Sequence, residues 1–368
     1  MKILQIINSL ATGGAEKLIL DTIPLYVQQG IQVDVLLLWD NDCMFTNELQ
    51  KLNCSKIYIL KKSSNYKDIY QLSHVFKIAK ILKNYDLAHV HLFPAQYFVV
   101  FANILNGNSC KLLFTEHNTT NKRIQSKFFK PIERFIYKRY AKLICISDEI
   151  KGIYSEYLKN QKEKLIVIQN GVSIETIINA KPYDKVVLNT NCVKSDVFLL
   201  QVAAFRPQKD QITLIKSMKY LPHNYKLFLV GDGVNKKMCE DYVIHENLNN
   251  KVYFLGQRAD IPRLLKSVDI VVLSSHYEGL SLSSIEGMSS GVPFVASEVP
   301  GLKEIVEHHG VLFKEGDEQD LADKINQLML DKTYYLKMAT SCLERAKQFD
   351  IKNMIAKHIA LYKKIYEA

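Results

Sequence analysis

The stretch "EGLSLSSIEGMSSGVP", residues 278–293, holds two carboxylates eight positions apart, Glu278 and Glu286, with glycine and serine between and after them. It follows the apolar run "DIVVLSSHY", so Glu278 falls at a strand exit and Gly279, Leu280, Ser281 and Leu282 lead into a helix. Gly291 and Pro293 close that helix. First-turn amides of a helix have no intrahelical partner and carry partial positive charge. With no side chain at Gly279, a phosphate can settle on such amides. Glu286, one to two turns in, can accept two hydroxyl hydrogens from a ribose, and Glu278 faces whatever the phosphate carries. An anion site, a diol acceptor and a second carboxylate together suit a nucleotide-sugar. The same spacing is also that of an ordinary strand-to-helix connection with incidental acids, and spacing does not separate the two.

Further polar residues stand where other apolar runs end. In "FRPQKD", Lys209 and Arg206 offer positive charge; a lysine near the positive end of a helix is unfavourable unless an anion is close, though it can also be a plain solvated lysine. Gly13 and Gly14 in "ATGGAEK" follow the first run, where glycine lets a ligand approach the backbone or simply makes a turn. They lack the G-x-G-x-x-G spacing, which weakens a nicotinamide reading. His89 and His91 are two apart on one strand and share a face, with His91 nearer the exit. His117 ends the strand of "TEHN", and Asn170-Gly171 forms a turn. A strand-end histidine can equally be structural. No carboxylate–histidine cluster has metal-ligand spacing.

The elements that must position these residues are short β-branched runs alternating with helical patterns. In the first half they are "KILQIIN", "IQVDVLLL", "KIYIL", "LAHVHL", "KLLFTEHN", "KLICIS" and "KLIVIQNG"; in the second, "VFLLQVAAF", "KLFLVGDG", "KVYFLG", "DIVVLSS", "PFVASE" and "GVLFK". Near-continuous apolar strands are buried on both faces, the mark of parallel sheets covered by helices. Two such sets predict an α/β protein of two doubly wound, Rossmann-like domains, 1–180 and 181–350, with a last helix over 351–368. The strand-poor segment near 172–196 reads as the linker. Ligands bind beyond the carboxyl ends of parallel strands, so facing domains would collect these loops in a cleft.

A chain of 368 residues with 48% hydrophobic and 23% charged side chains is a globular protein of more than one core. No apolar run approaches the ~18 residues that span a bilayer. Gln5 and Asn8 break the first run, so it reads as a strand and not a signal peptide. Seven scattered cysteines without C-x-x-C fit a reducing cytoplasm. Of the net charge of +10, residues 1–180 hold +8 (23 basic, 15 acidic), which points that half toward something anionic. Between Lys122 and Lys142 lie eight basic residues and one acid, Glu133, interleaved with Phe128, Phe129, Ile132, Phe135, Ile136 and Tyr140 at helical spacing. Such a segment can lie on an anionic leaflet, or its aromatics can be ordinary core beneath a solvated face. Base-reading modules are missing, so nucleic acid is not expected.

The run "EGLSLSSIEGMSSGVPFVASEVPGLKEIV" resembles the Glu-x7-Glu signature of retaining GT-B glycosyltransferases, specifically glycosyltransferase family 4 of the bacterial surface-polysaccharide type. The resemblance spans nearly the whole chain, through "NSLATGGAEK", "TEHN", "CISDEI", "VIQNGVS", "FRPQKDQITLIKSM", "LVGDG" and "VYFLGQRADIPRLLKSVDIVVL" in order. It implies a cytoplasmic enzyme of the GT-B fold whose domain 1–180 binds acceptor, whose domain 181–350 binds nucleotide-sugar and whose last helix, 351–368, crosses back to the first. The basic segment 122–142 would let it sit on the inner face of the cell membrane. Such an enzyme moves a sugar from a nucleotide-sugar, most often a UDP-sugar, to a saccharide or lipid-linked hydroxyl in capsule or O-antigen assembly. Position by position, Glu286 resembles the residue on the donor ribose, and Glu278 the one at the reacting sugar. Gly279 to Leu282 resemble the diphosphate cradle, and Lys209 its neutralising cation. Gly13 and Gly14 resemble the loop against the donor phosphate, His117 the histidine on the donor sugar, and Arg258 in "GQRAD" a contact beside the base. His91 and Asn170 are left for the acceptor. The family uses cations and helix ends in place of a metal, so neither metal nor cofactor is expected. In one departure, the arginine frequent five positions before the lysine is Ala204 here, leaving Arg206 as the second charge. A sugar-nucleotide epimerase on this fold would turn over donor without acceptor, and a non-catalytic nucleotide-sugar-binding protein would show no turnover.

Overall fold

The computed structural model describes residues 1–11, 13–117, 122–188 and 192–367. Thr12 of the double-glycine loop, Asn118 of "TEHN" and Asn121 before the basic segment lie outside the described residues, as do 189–191 of the expected linker. Contacts divide the chain into two units, Met1–Gly171 with Ile351–Ala368, and Val172–Asp350.

In the first unit, seven parallel strands stand in the order β3-β2-β1-β4-β5-β6-β7. They are β1 (Lys2–Ile7), β2 (Gln32–Leu37), β3 (Ile57–Ile59), β4 (Leu87–His91), β5 (Lys111–Glu116), β6 (Lys142–Cys145) and β7 (Leu165–Val167). Each coincides with an apolar run of the first half. The polar residues inside these strands are grouped by register, because Gln5 of β1 stands directly beside His89 of β4. From β1 the chain builds outward through β2 and β3 on one side and from β4 to β7 on the other. Between β1 and β4, therefore, the exit loops diverge and leave room for polar groups at the carboxyl ends. Asn8 bridges these two exits, donating to the Phe93 carbonyl at 2.7 Å while its oxygen accepts from the Ala95 amide at 3.3 Å.

The helix Ile351–Glu367 belongs to this unit. Met354, Ile355, His358, Leu361, Tyr362 and Ile365 recur every three or four residues and are buried, which gives it one inward face. That face meets the helix Gly14–Gln28 through Tyr26, whose ring lies 5.8 Å from that of Tyr362.

Six parallel strands form the second unit, ordered β10-β9-β8-β11-β12-β13: β8 (Val197–Val202), β9 (Tyr225–Val230), β10 (Val252–Gly256), β11 (Ile270–Leu273), β12 (Phe294–Ser297) and β13 (Val311–Phe313). Its order reverses between β8 and β11. The first unit ends at Gly171, earlier than the expected boundary at 180, because Val172, Ile174 and Ile177 bury their side chains in the second core. For the same reason 172–196 is no bare linker. It holds the helices Ile174–Ile178 and Lys185–Leu188, with Lys185 paired to Asp269 at 2.6 Å.

The helix Leu282–Met288 lies on β11 and β12 at a glycine. A Cβ on Gly287 would stand 2.7 Å from the Phe294 ring and 2.9 Å from Val271. Alanine in a helix interior ordinarily gains up to ~1 kcal/mol over glycine. Here overpacking by ~1–3 kcal/mol outweighs that gain, so Gly287→Ala is expected to lower the urea midpoint of unfolding. An unchanged or raised midpoint would show that the helix is free to lift.

Candidate functional site

The exits of β8 and β11 flank the switch point of the second unit, and the loops leaving them are stitched together. The Gln208 amide donates to the Tyr277 carbonyl at 2.8 Å, the His276 amide to the Gln208 carbonyl at 2.8 Å, and the Ser274 hydroxyl to the Asp210 carbonyl at 2.8 Å. Gln201 reaches from β8 to the Lys209 carbonyl at 3.2 Å. These contacts bring Lys209 and Glu278 face to face: Lys209 Nζ lies 2.5 Å from Glu278 Oε1, which also accepts from the Ser275 hydroxyl at 2.5 Å. Only 17% of the lysine side chain and 6% of the glutamate side chain are exposed. Glu278 Oε2 has no partner among the described residues.

The backbone beneath this pair demands glycine. Gly301 has φ +84°, and a Cβ there would fall 2.1 Å from the Glu278 carbonyl oxygen and 2.8 Å from that of Gly279. On the other flank Gly231 and Gly233 (φ +136° and +153°) press against the carbonyls of Ala203 and Phe205. Gly279 and Leu280 form the bend before the helix Leu282–Met288, with Ser281 at its N-cap. The Ser281 hydroxyl makes no capping bond to the first-turn amides and pairs with the Ser283 hydroxyl at 3.0 Å. Glu286 is half-buried on the second turn of that helix and is engaged within the protein.

Two cations stand differently from the lysine. Arg206 is exposed and forms no ion pair among the described residues. Arg258 is held in a two-pronged pair by Asp260, at 2.7 and 2.6 Å, and Tyr183 donates to the same carboxylate at 2.6 Å. Those hydrogen bonds hold the Asp260 carboxyl well below the usual carboxylate range. The Nε and Nη2 edge of Arg258 is therefore taken by protein.

In the first unit, β1, β4 and β5 and the C-terminal helix bring together Gln5, His89, His91, His117, His358 and Tyr362. The His89 and His91 rings lie 4.4 Å apart, His91 and His117 5.3 Å, and His89 and His358 5.4 Å. His117 and Asn170 line a narrow hollow above this group. Contrary to the expectation that it meets an acceptor, His91 is buried with both ring nitrogens engaged, Nδ1 by His117 Nε2 at 3.0 Å and Nε2 by Gln5 Oε1 at 2.9 Å. Its ring lines the same hollow as His117. Burial drives all four imidazoles toward neutrality. His89 and His91 are lowered well below the usual histidine range, His117 to about 4 and His358 to about 3.

Gly13 and Gly14 are exposed at the start of the helix after β1, and the Gly13 backbone is extended, with φ −177°. Sequence reasoning missed Gln5, Tyr26, His358, Tyr362 and Gly301 as site-forming residues. The signals were present in part: a glutamine inside an apolar strand, a Pro-Gly after β12, and a histidine and tyrosine four apart on one helix face. Among the described residues no group of three or more histidine, cysteine, aspartate or glutamate side chains could hold a metal ion.

The basic segment separates into two populations. Ile136 and Tyr140 are core, and Glu133, the lone acid, is fully buried, where it accepts from Arg123 at 2.6 Å and from Tyr97 at 2.5 Å. Phe128 is 90% exposed, and Phe129, Ile132 and Phe135 are also open. They stand among exposed Lys127, Lys130, Arg134, Lys138 and Arg139.

A family model described as "Glycosyltransferase Family 4" matches residues 12–176, and one described as "Glycosyl transferases group 1" matches 189–349. The chain is 29% identical over 333 residues to an uncharacterized glycosyltransferase of Methanocaldococcus jannaschii, covering 87% of this chain and 86% of that one. It is 28% identical over 299 residues to UDP-Gal:alpha-D-GlcNAc-diphosphoundecaprenol alpha-1,3-galactosyltransferase of Escherichia coli, covering 77% and 76%. The crystal structure of Anabaena HepE in complex with UDP-glucose superposes with a TM-score of 0.81 at 25% identity, over 98% of this chain and 99% of that one.

The neutral histidines give the protein an acid-labile first unit. Their folded-state affinities for protons lie below the unfolded value near 6.5, so below that pH the unfolded chain binds protons that the folded one refuses. Stability is complete above about pH 7 and declines as pH falls through 6.5 toward 4, by up to ~1.4 kcal/mol per pH unit for each histidine. Urea midpoints at pH 8, 6.5 and 5 at constant ionic strength are expected to fall steeply between the last two. A flat profile would mean that these rings are hydrated.

Proposed function

We propose, from the premise that the chain is a GT-B glycosyltransferase joining a family 4 domain to a group 1 domain, that it moves a sugar with retention from a UDP-sugar to a hydroxyl of a saccharide or lipid-linked acceptor. The observation that carries this reading is the Lys209–Glu278–Ser275 cluster at the switch point of the second unit. A cation and a carboxylate are held together there beside helix amides that their own N-cap serine leaves uncapped.

In this reading the diphosphate lies on the amides of Gly279 to Leu282 and takes the hydrogens of Lys209 not used by Glu278, with exposed Arg206 adding charge. Glu286 reads the ribose hydroxyls, and the flat face of Arg258 lies beside the base. The free Glu278 Oε2 accepts from a sugar hydroxyl at the reacting centre. As the bond from the anomeric carbon to the diphosphate oxygen breaks, negative charge builds on that oxygen, where preorganised cations and amides stabilise it most. The acceptor oxygen bonds to the anomeric carbon on the same face, and its proton passes to the departing phosphate. No carboxylate is assigned as a covalent nucleophile. Uridine is supported by the names of the E. coli relative and of the HepE complex, and a polyprenyl-diphosphate acceptor in surface-polysaccharide assembly by the former.

No helix among the described residues is long and apolar enough to cross a membrane. We infer that the 122–142 face docks on an anionic leaflet where such an acceptor resides. Phe128, Phe129, Ile132 and Phe135 would enter the headgroup boundary, and each neighbouring Lys or Arg would add ~1 kcal/mol. The protein is expected to float with phosphatidylglycerol vesicles at low salt and to be released by Phe128→Ser combined with Arg134→Glu. Equal flotation of the variant would remove the membrane from the account.

For the site itself, saturating UDP is expected to raise Tm, since ligand at 100 times Kd adds ~2.7 kcal/mol. Lys209→Met is expected to lose most of that rise. Glu278→Gln is expected to keep it while transfer slows by roughly 10²–10³-fold. A glycosyl–enzyme adduct or an inverted anomeric product would overturn the mechanism, and conversion of donor alone would turn the reading to an epimerase.

A further inference from the structure

The polar groups behind His117 form a chain that runs from Tyr362 through Gln5 and His91 to His117. Gln5 is its centre: Oε1 meets His91 Nε2 at 2.9 Å, and the amide nitrogen donates to the Tyr362 hydroxyl at 3.2 Å. A carbonyl oxygen only accepts, so His91 carries its hydrogen on Nε2. A neutral imidazole has one hydrogen, which leaves His91 Nδ1 as an acceptor. The contact at 3.0 Å then requires the hydrogen of His117 to be on Nε2. On the other side, Tyr362 accepts from Gln5, and its hydroxyl also meets His89 Nδ1 at 2.6 Å and the Tyr26 hydroxyl at 3.3 Å, while His89 Nε2 meets Thr115 Oγ1 at 2.6 Å. Turning the Gln5 amide over would make it donate to His91 and accept from Tyr362, and would put the His117 hydrogen on Nδ1; the orientation in the structure is the one followed. The direction is therefore collective, and the C-terminal helix sets one end of it through Tyr362.

We propose that Gln5, His91 and Tyr362 are positioning residues that lock His117 in the Nε2–H tautomer and leave its Nδ1 as a bare acceptor for a hydroxyl of the sugar substrate. The inference rests on the glycosyltransferase reading for its ligand and on the first unit alone for its geometry. Nδ1 has no partner among the described residues. Four imidazoles packed within about 5.4 Å of a neighbour cannot all carry charge. A neutral acceptor recognises a hydroxyl, whereas a phosphate or a carboxylate has no hydrogen to offer it. The substrate class at this position is thus a neutral hydroxylated sugar, and an acidic sugar carrying its carboxylate there is refused.

The test reads the tautomer directly, by long-range ¹⁵N–¹H spectra of the full chain labelled at histidine, with His117→Gln assigning the signal. In the wild type the His117 hydrogen is expected on Nε2 from pH 6 to 8. Gln5→Glu, which still offers His91 an acceptor, keeps it there. Gln5→Met and Tyr362→Phe give mixed tautomers. In parallel, UDP release from UDP-glucose and UDP-galactose is expected to lose kcat by about tenfold to a hundredfold in Gln5→Met, with KM within about threefold, and Gln5→Glu restores most of it. A wild-type hydrogen on Nδ1, or an unchanged tautomer in both Gln5→Met and Tyr362→Phe, overturns the proposal. Should Gln5→Met fail to fold, the wild-type spectrum and Tyr362→Phe still decide. If neither sugar nucleotide is turned over by any form, the donor reading falls while the tautomer result stands on its own.

Discussion

The contact around which the switch point of the second unit is built is the ion pair between Lys209 and Glu278. Burying either charge alone costs several kcal/mol, and removing one partner of such a pair strands the other. The protein keeps both by placing them where its sheet order reverses, so that two loops leaving neighbouring strands can meet over the carboxyl edge. Everything around the pair reads as a consequence. Gln201, Ser274 and Gln208 tie the two loops together, and Gly301 exists because the backbone under Glu278 leaves no room for a Cβ. The two loops are thereby held together by protein contacts alone.

That arrangement also refines the separate roles suggested by the motif. Glu278 and Lys209 look in sequence like a sugar contact and a phosphate contact 69 positions apart. In the structure they are one object. The lysine and Ser275 engage one carboxylate oxygen and leave the other without a partner among the described residues, and the carboxylate orients the ammonium without using all its hydrogens. A substitution at either residue is consequently read at both, and only comparison of an isosteric change at Glu278 with a neutralising change at Lys209 separates stability from chemistry.

The fold was almost fully legible in the sequence. Every one of the thirteen strands coincides with an apolar run, because a strand covered on both faces by helices has no polar alternation to blur it. The segment after Gly171 was misread because its anchors, Val172, Ile174 and Ile177, are single apolar residues among polar ones, and what fixes them is the second core and not a local pattern. The strand-exit rule put Lys209, Glu278 and His117 beyond the carboxyl ends of strands, where the structure has them. It could not reveal that Arg258 is already gripped by Asp260, two positions away, or that His91 is spent on Gln5 and His117. The residues that complete the histidine group come from position 5 and from positions 358 and 362, a separation no motif spans.

The two units solve the burial of polar groups in opposite ways, and the difference bears on what each can bind. In the second, charge is kept and paired, which suits a ligand whose own charge must be met and, on reaction, increased. In the first, charge is given up: four histidines lose their protons to burial and are organised by hydrogen bonds whose members each have a fixed number of donors. A neutral, directional network discriminates hydroxyl groups by geometry and has little attraction for anions, although the surface of the same unit is basic. The basic surface and the neutral interior therefore address different parts of the surroundings. In the reading proposed above, long-range attraction falls to the exposed lysines and arginines, and short-range selection to a ring nitrogen whose hydrogen is placed elsewhere.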